Sequence, residues 1–158
     1  MLSILVAVAV RCLLVMLFLP FSALDKILNL NQAVDQAAEA VRTRWTATFL
    51  IFLGFGIEVV MSLAILTGVA DRLAAFILAG YCVFTAILWN QFWKSADFRL
   101  KGASRGREIF WDFLKNVALA GGLLLLAFGA DATCVRNLWH HPLASTHPYA
   151  QSEREGRT

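Results

Sequence analysis

Apolar residues gather into four blocks, about 2–24, 46–67, 72–93 and 110–129, separated by shorter polar stretches. An α-helix rises about 1.5 Å per residue, so roughly 20 residues cross the hydrocarbon core of a bilayer. The pattern therefore predicts an all-α protein, an integral membrane four-helix bundle filling residues 1–133. Between the first two blocks the periodicity changes. Ile27, Leu30, Val34, Ala37, Val41 and Trp45 recur at spacings of three and four, while Lys26, Asn29, Gln32, Gln36 and Glu39 fall mainly elsewhere. This predicts an amphipathic helix over about 26–45, either lying in the membrane interface or covering the mouth of the bundle as a lid.

Local signals punctuate the blocks. Pro20 should kink or end the first helix. Gly68, Val69, Ala70 and Asp71 make a short hairpin between spans two and three, and KSADFRLKGASRGR reads as a mobile polar loop. Residues 134–158 turn polar and Pro-containing and are expected to be disordered. No internal repeat is evident.

Composition agrees with this division. Hydrophobic residues make up 59% of the 158 and charged residues 16%, against about 45–50% and 25% in a soluble domain. The sequence pI of about 9.0 does not point to nucleic acid, because most basic residues flank the spans. The bilayer is the partner this composition demands. Lys26, Arg42, Arg44, Lys94, Arg99, Lys101, Arg105 and Arg107 lie in the loops after spans one and three. Arg72, Arg136, Arg154 and Arg157 lie on the other side. The positive-inside rule then places both termini outside and both long loops in the cytoplasm. FSA before Leu24 would suit signal cleavage, but the basic n-region is missing and Arg11 interrupts the apolar stretch. The first block is expected to stay as a span.

Two charges stand inside the membrane blocks, Arg11 in span one and Glu58 in span two. Each lies about nine residues from the outer end of its span by the sequence boundaries, so the two should meet at one depth. A lone ion at the bilayer centre costs at least about 2.5–3.5 kcal/mol, and pairing removes much of that. Tyr81 falls at the same depth, and Gly121 and Gly122 would leave room beside the three. Such a cluster is either a structural pair fixing helix register or a pocket for a polar headgroup. In the pocket reading, Arg11 or Tyr81 hydrogen-bonds a quinone carbonyl and Glu58 exchanges a proton.

A second polar group is expected toward the cytoplasmic side: Lys26, Asn90, Asp112, Lys115 and Asn116. Lys115 is close enough to the helix end to snorkel to the headgroups instead. Trp45, Trp89, Trp93 and Trp111 fall near the same ends and suit an interfacial aromatic belt. His140, His141 and His147 invite a metal, yet no Cys or carboxylate pattern completes a site, so none is expected. Cys12, Cys82 and Cys134 contain no C-x-x-C pair, which argues against a dithiol relay.

Taken in order, Arg11, ALDK with Lys26, GFGIE with Glu58, TGVADR with Gly68 and Arg72, and KNVALAGGLLLLAFG with Asn116, Gly121 and Gly122 resemble the DoxX family of small four-helix membrane proteins. Ala23 stands where that family commonly has Gly. The resemblance implies a bacterial inner-membrane protein associated with redox chemistry, in one branch as the membrane subunit of a thiosulfate:quinone oxidoreductase. The chain carries no flavin, haem or iron–sulfur motif, so a redox role implies a partner or soluble electron donor, with quinone as bound substrate. The leading expectation is a quinone-interacting or membrane-anchoring subunit of a redox system. A non-catalytic scaffold or assembly factor is the first alternative. A small-molecule or ion permease is the second, and it would need a homo-oligomer because four short spans leave little room for a pore.

Overall fold

The structure is a computed structural model that describes residues 2–41, 43–129 and 140–149. The described residues form helices and no strand: α1 (Leu2–Val15), α2 (Ala23–Leu28), α3 (Leu30–Val41), α4 (Arg44–Thr67), α5 (Asp71–Trp89) and α6 (Arg105–Phe128). Among the described residues, four continuous segments are long and apolar enough to cross a membrane: Ile4–Leu28, Arg44–Thr67, Asp71–Lys94 and Arg105–Phe128.

Pro20 neither ends nor breaks the first span. It sits inside a single π-helical stretch, Leu17–Ser22, that joins α1 to α2. The Ala23 N–H reaches back to the carbonyls of Phe18 and Pro20. A wider turn accommodates a ring that would collide with the preceding turn of a regular α-helix. The first span therefore runs on to Leu28, past the expected end near residue 24. The expected 26–45 helix is divided as a result. Asn29 leaves helical geometry at φ −120° and ψ 34°, and only Leu30–Val41 forms the separate amphipathic helix.

Lipid offers apolar side chains no gain over protein, so small residues and close backbone approach hold membrane helices together. The buried face of α5 has that composition: Ala74, Ala75, Ala79, Cys82 and Ala86 line it with Leu78. The most extensive helix contact is α5 on α6, where Ala120, Leu123 and Ala127 are buried. Gly122 meets α1 rather than a polar cluster: a Cβ there would come within 3.1 Å of Leu14 Cδ2. On α3, Val34 and Ala37 are buried together with Ala47 of α4, so the apolar stripe seen in the sequence packs onto the bundle.

The hairpin between α4 and α5 needs Gly68, whose φ is +75°. At the opposite end, Phe92 packs edge-on against Trp93, Phe110 and Phe113. The loop before α6 is ordered by Asp97, whose carboxylate accepts from Ser95 Oγ at 2.6 Å, Arg105 N at 2.9 Å and Gly106 N at 3.1 Å. Two of these donors are unpaired N–H groups of the first helical turn.

Candidate functional site

Arg11 and Glu58 do not meet. Each is buried in a separate cluster. Arg11 Nη2 lies 2.5 Å from Asp71 Oδ2, and Arg11 Nη1 donates to the Ile65 carbonyl at 2.5 Å. The Glu58 carboxylate instead takes Lys26 Nζ at 2.6 Å on Oε1 and 2.7 Å on Oε2. The correction has a geometric cause. Ile65 is two turns beyond Glu58, about 10 Å along the helix axis, and the arginine side chain reaches that level. The first span also extends deeper than its apolar block, which brings Lys26 into the bundle.

Both clusters are fully built. Around Glu58, Ser22 Oγ donates to Oε2 at 3.0 Å and Tyr81 Oη to Oε1 at 2.8 Å, while Lys26 also donates to Ser22 Oγ at 2.7 Å. Ser22 and Lys26 are four residues apart and share one helix face. Gly54, one turn before Glu58, makes room for the phenol: a Cβ there would stand 2.9 Å from Tyr81 Oη. Around Arg11, Asp71 is completely buried. Thr146 bridges the pair, accepting from Arg11 Nη2 at 2.7 Å, donating its N–H to Asp71 Oδ1 at 3.0 Å and its hydroxyl to Asp71 Oδ2.

Thr146 belongs to a strap that the sequence pattern assigned to a disordered tail. Ser145 Oγ donates to the Gly68 carbonyl at 2.5 Å, and Tyr149 Oη to the Leu66 carbonyl. These carbonyls end α4 and have no helical partner of their own. Residues 145–149 thus close the hairpin end of the bundle. Cys134 and residues 150–158 lie outside the described residues.

The expected second group does not assemble. Lys26 joins Glu58. Asp112 and Lys115 pair with each other at 2.9 Å on the exposed surface of α6, and Asn116 is half-buried on the same helix. Only Asn90 stays near Lys26, across an open cavity of about 490 Å³ between α4 and α5 that α2 and α3 border. Apolar side chains dominate its lining, among them Leu50, Ile57, Ile77 and Phe84, with Asp25, Lys26, Gln36, Tyr81, Thr85 and Asn90 as polar groups. That size and lining suit a small, mostly apolar ligand with a polar head. Glu58 is not in the wall; Lys26 and Tyr81 stand between it and the cavity.

Asp71, Ser22 and Thr146 were missed by sequence reasoning. Asp71 had a signal: a carboxylate opening a span is the nearest acid for a buried arginine one helix away. Ser22 and Thr146 had none, since lone hydroxyls are common everywhere.

The family model described as DoxX matches residues 6–91, more than half of the chain. The protein belongs to the DoxX family. The match spans Arg11, Lys26, Glu58, Asp71 and Tyr81, so both buried clusters of this DoxX chain fall within it apart from Thr146. Asn116, Gly121 and Gly122 lie beyond it. No curated protein and no solved structure matches the chain. The DoxX assignment and the four apolar spans make this a multi-pass membrane protein in contact with the bilayer.

Proposed function

We propose that this DoxX protein is the quinone-interacting membrane subunit of a redox system. It would sit in a bacterial inner membrane with both termini periplasmic. The observation that carries the reading is the cavity of about 490 Å³ ending on Lys26 and Tyr81. A quinone is neutral, carries only acceptor oxygens on its ring, and reaches its site through lipid. Its apolar body suits the walls between α4 and α5, and a ring carbonyl suits an ammonium or phenol donor. In that orientation the cavity lies toward the cytoplasmic ends of the spans, with α3 at the interface beside it. Electrons would come from a partner protein or soluble donor, because the chain has no redox motif of its own.

Native mass spectrometry of the protein extracted in mild detergent from its own membrane tests this. A bound quinone, alone or with a redox-protein partner, is expected. A stable partner without quinone would leave the protein as a membrane anchor or scaffold. A protein carrying only phospholipid would remove the quinone reading and favour transport or scaffolding.

A further inference from the structure

The rim of the cavity changes character around its edge. Among the described residues, one part is polar. Asp25 of α2 and Gln36 of α3 line the cavity and are exposed, and Asn90, just past the last turn of α5, is half-buried beside them. Another part is apolar. Leu53 of α4 and Phe84 of α5 also line the cavity, yet they are 47% and 50% exposed. Gly80 stands one turn before Phe84 on the same wall, and a Cβ there would meet nothing within 4 Å. Side chains that line a cavity and also face outward mark a mouth. Here there are two, one polar and one apolar.

Depth decides what the apolar mouth opens into. Gly80 is the middle residue of α5 (Asp71–Trp89), about 13–14 Å along the axis from either end. Leu53 is as far from the start of α4 at Arg44. The hydrocarbon core of a bilayer is about 30 Å thick, so a gap at this level faces acyl chains and not water. The polar mouth lies at the ends of the spans, where headgroups and water begin. An apolar tail led out past Asp25, Gln36 and Asn90 would be left in contact with water, which is disfavoured. A tail led out beside Gly80 stays in lipid.

We propose that the cavity takes single-tailed, lipid-dissolved ligands sideways from the bilayer, through a mid-membrane mouth framed by Leu53, Gly80 and Phe84, and that the tail remains in this mouth while the head is bound inside. The inference rests on the ligand-binding reading of the cavity and adds the route and the part of the ligand left outside. The polar mouth gives a tail-less head its own way in from the aqueous side. Gly80 is then a specificity-determining residue: its missing side chain is the opening.

The test compares a tail-less ubiquinone with a short-tailed one, binding to the purified protein in phospholipid nanodiscs. Gly80→Leu puts a branched side chain in the mouth, and leucine is a better helix former than glycine. It should weaken binding of the tailed compound by roughly tenfold, the scale of overpacking a filled site, and slow its association. The tail-less compound should bind as it does to the parent. Leu53→Trp narrows the mouth from the opposite edge and should act in the same way, so either variant suffices if the other does not fold. Gly121 is exposed on α6, away from the cavity lining, with nothing within 4 Å of its would-be Cβ. Gly121→Leu is therefore the control and should change neither compound. Equal loss of both compounds in Gly80→Leu and Leu53→Trp would overturn the mouth, because these positions would then belong to the head site. Unchanged binding of the tailed compound in both variants would also overturn it, by placing entry elsewhere, while the quinone site would stand. Binding of neither compound to the parent would overturn the quinone reading itself and the mouth with it.

Discussion

Lys26 and Glu58 form a closed ion pair in which the ammonium touches both carboxylate oxygens, at 2.6 and 2.7 Å. Arg11 is held two helix turns away by Asp71. Double-mutant cycles separate these partnerships from the Arg11–Glu58 pairing that equal depth in the sequence suggests. Cycles pairing Lys26→Met with Glu58→Gln, and Arg11→Met with Asp71→Asn, should each show coupling of about 1–3 kcal/mol. The cycle pairing Arg11→Met with Glu58→Gln should be additive within about 0.5 kcal/mol. Reversible unfolding in mixed micelles measures all three. Strong Arg11–Glu58 coupling would contradict the arrangement.

The strap makes the hairpin end depend on residues far along the chain. Thr146 satisfies both oxygens of the buried Asp71 and touches Arg11. Thr146→Val keeps the shape and removes the hydroxyl, leaving part of a buried charge pair unsatisfied. The expected loss is about 1–3 kcal/mol, with faster amide exchange in the first turn of α5. Tyr149→Phe removes a single bond to a helix-end carbonyl and should cost less, about 1 kcal/mol. Equal and negligible effects of both would mean that residues 145–149 do not hold this end together.

Much of this architecture could be read from hydrophobic blocks, because span length and apolar periodicity are properties of consecutive residues. The pairing of charges could not. Counting from the ends of apolar blocks placed Arg11 beside Glu58, but α2 continues the first span through Lys26, a residue that hydropathy assigns to a loop. A basic residue one turn past an apolar block is normally solvated. Here a buried acid on the neighbouring helix draws it inward. The strap was illegible for a related reason: its polar composition is that of a free tail, and only the unpaired carbonyls at the end of α4 give it a place to bind. Tyr81 was legible together with Glu58 because spans two and three are joined by a short hairpin, which fixes their relative register.

Asp97 gives a pH prediction outside the spans. Its carboxylate accepts from the Ser95 hydroxyl and from the backbone N–H groups of Gly106 and Arg105, and these bonds hold its pKa below the usual carboxylate range. A group depressed on folding contributes stability above its unfolded value, about 3.9. That contribution is lost as pH falls through the folded value. Protection of the Arg105 and Gly106 amides should therefore persist at neutral pH and fade only below about pH 4. Asp97→Asn should weaken it at all pH values. Hydrogen exchange read by mass spectrometry checks both, and protection that fades near neutrality would point to a different group.

Gly54 is where helix packing and ligand binding touch. Its missing side chain lets Tyr81 reach Glu58, since a Cβ at this position would lie 2.9 Å from the phenol oxygen and 3.3 Å from Cε2. Gly54→Ala adds one methyl group to a helix that tolerates it, and alanine favours helix over glycine by about 1 kcal/mol. The fold should survive, while Tyr81 is pushed off the carboxylate and into the cavity. Ubiquinone binding should then fall at least as far as in Tyr81→Phe, which loses only one hydrogen bond, up to about tenfold for the roughly 0.5–1.5 kcal/mol of such a bond. Gly56 faces open space, with nothing within 4 Å of its would-be Cβ, so Gly56→Ala is the matched control and should bind as the parent does. Equal binding by Gly54→Ala and Gly56→Ala would show that the position of the Tyr81 phenol does not govern the cavity.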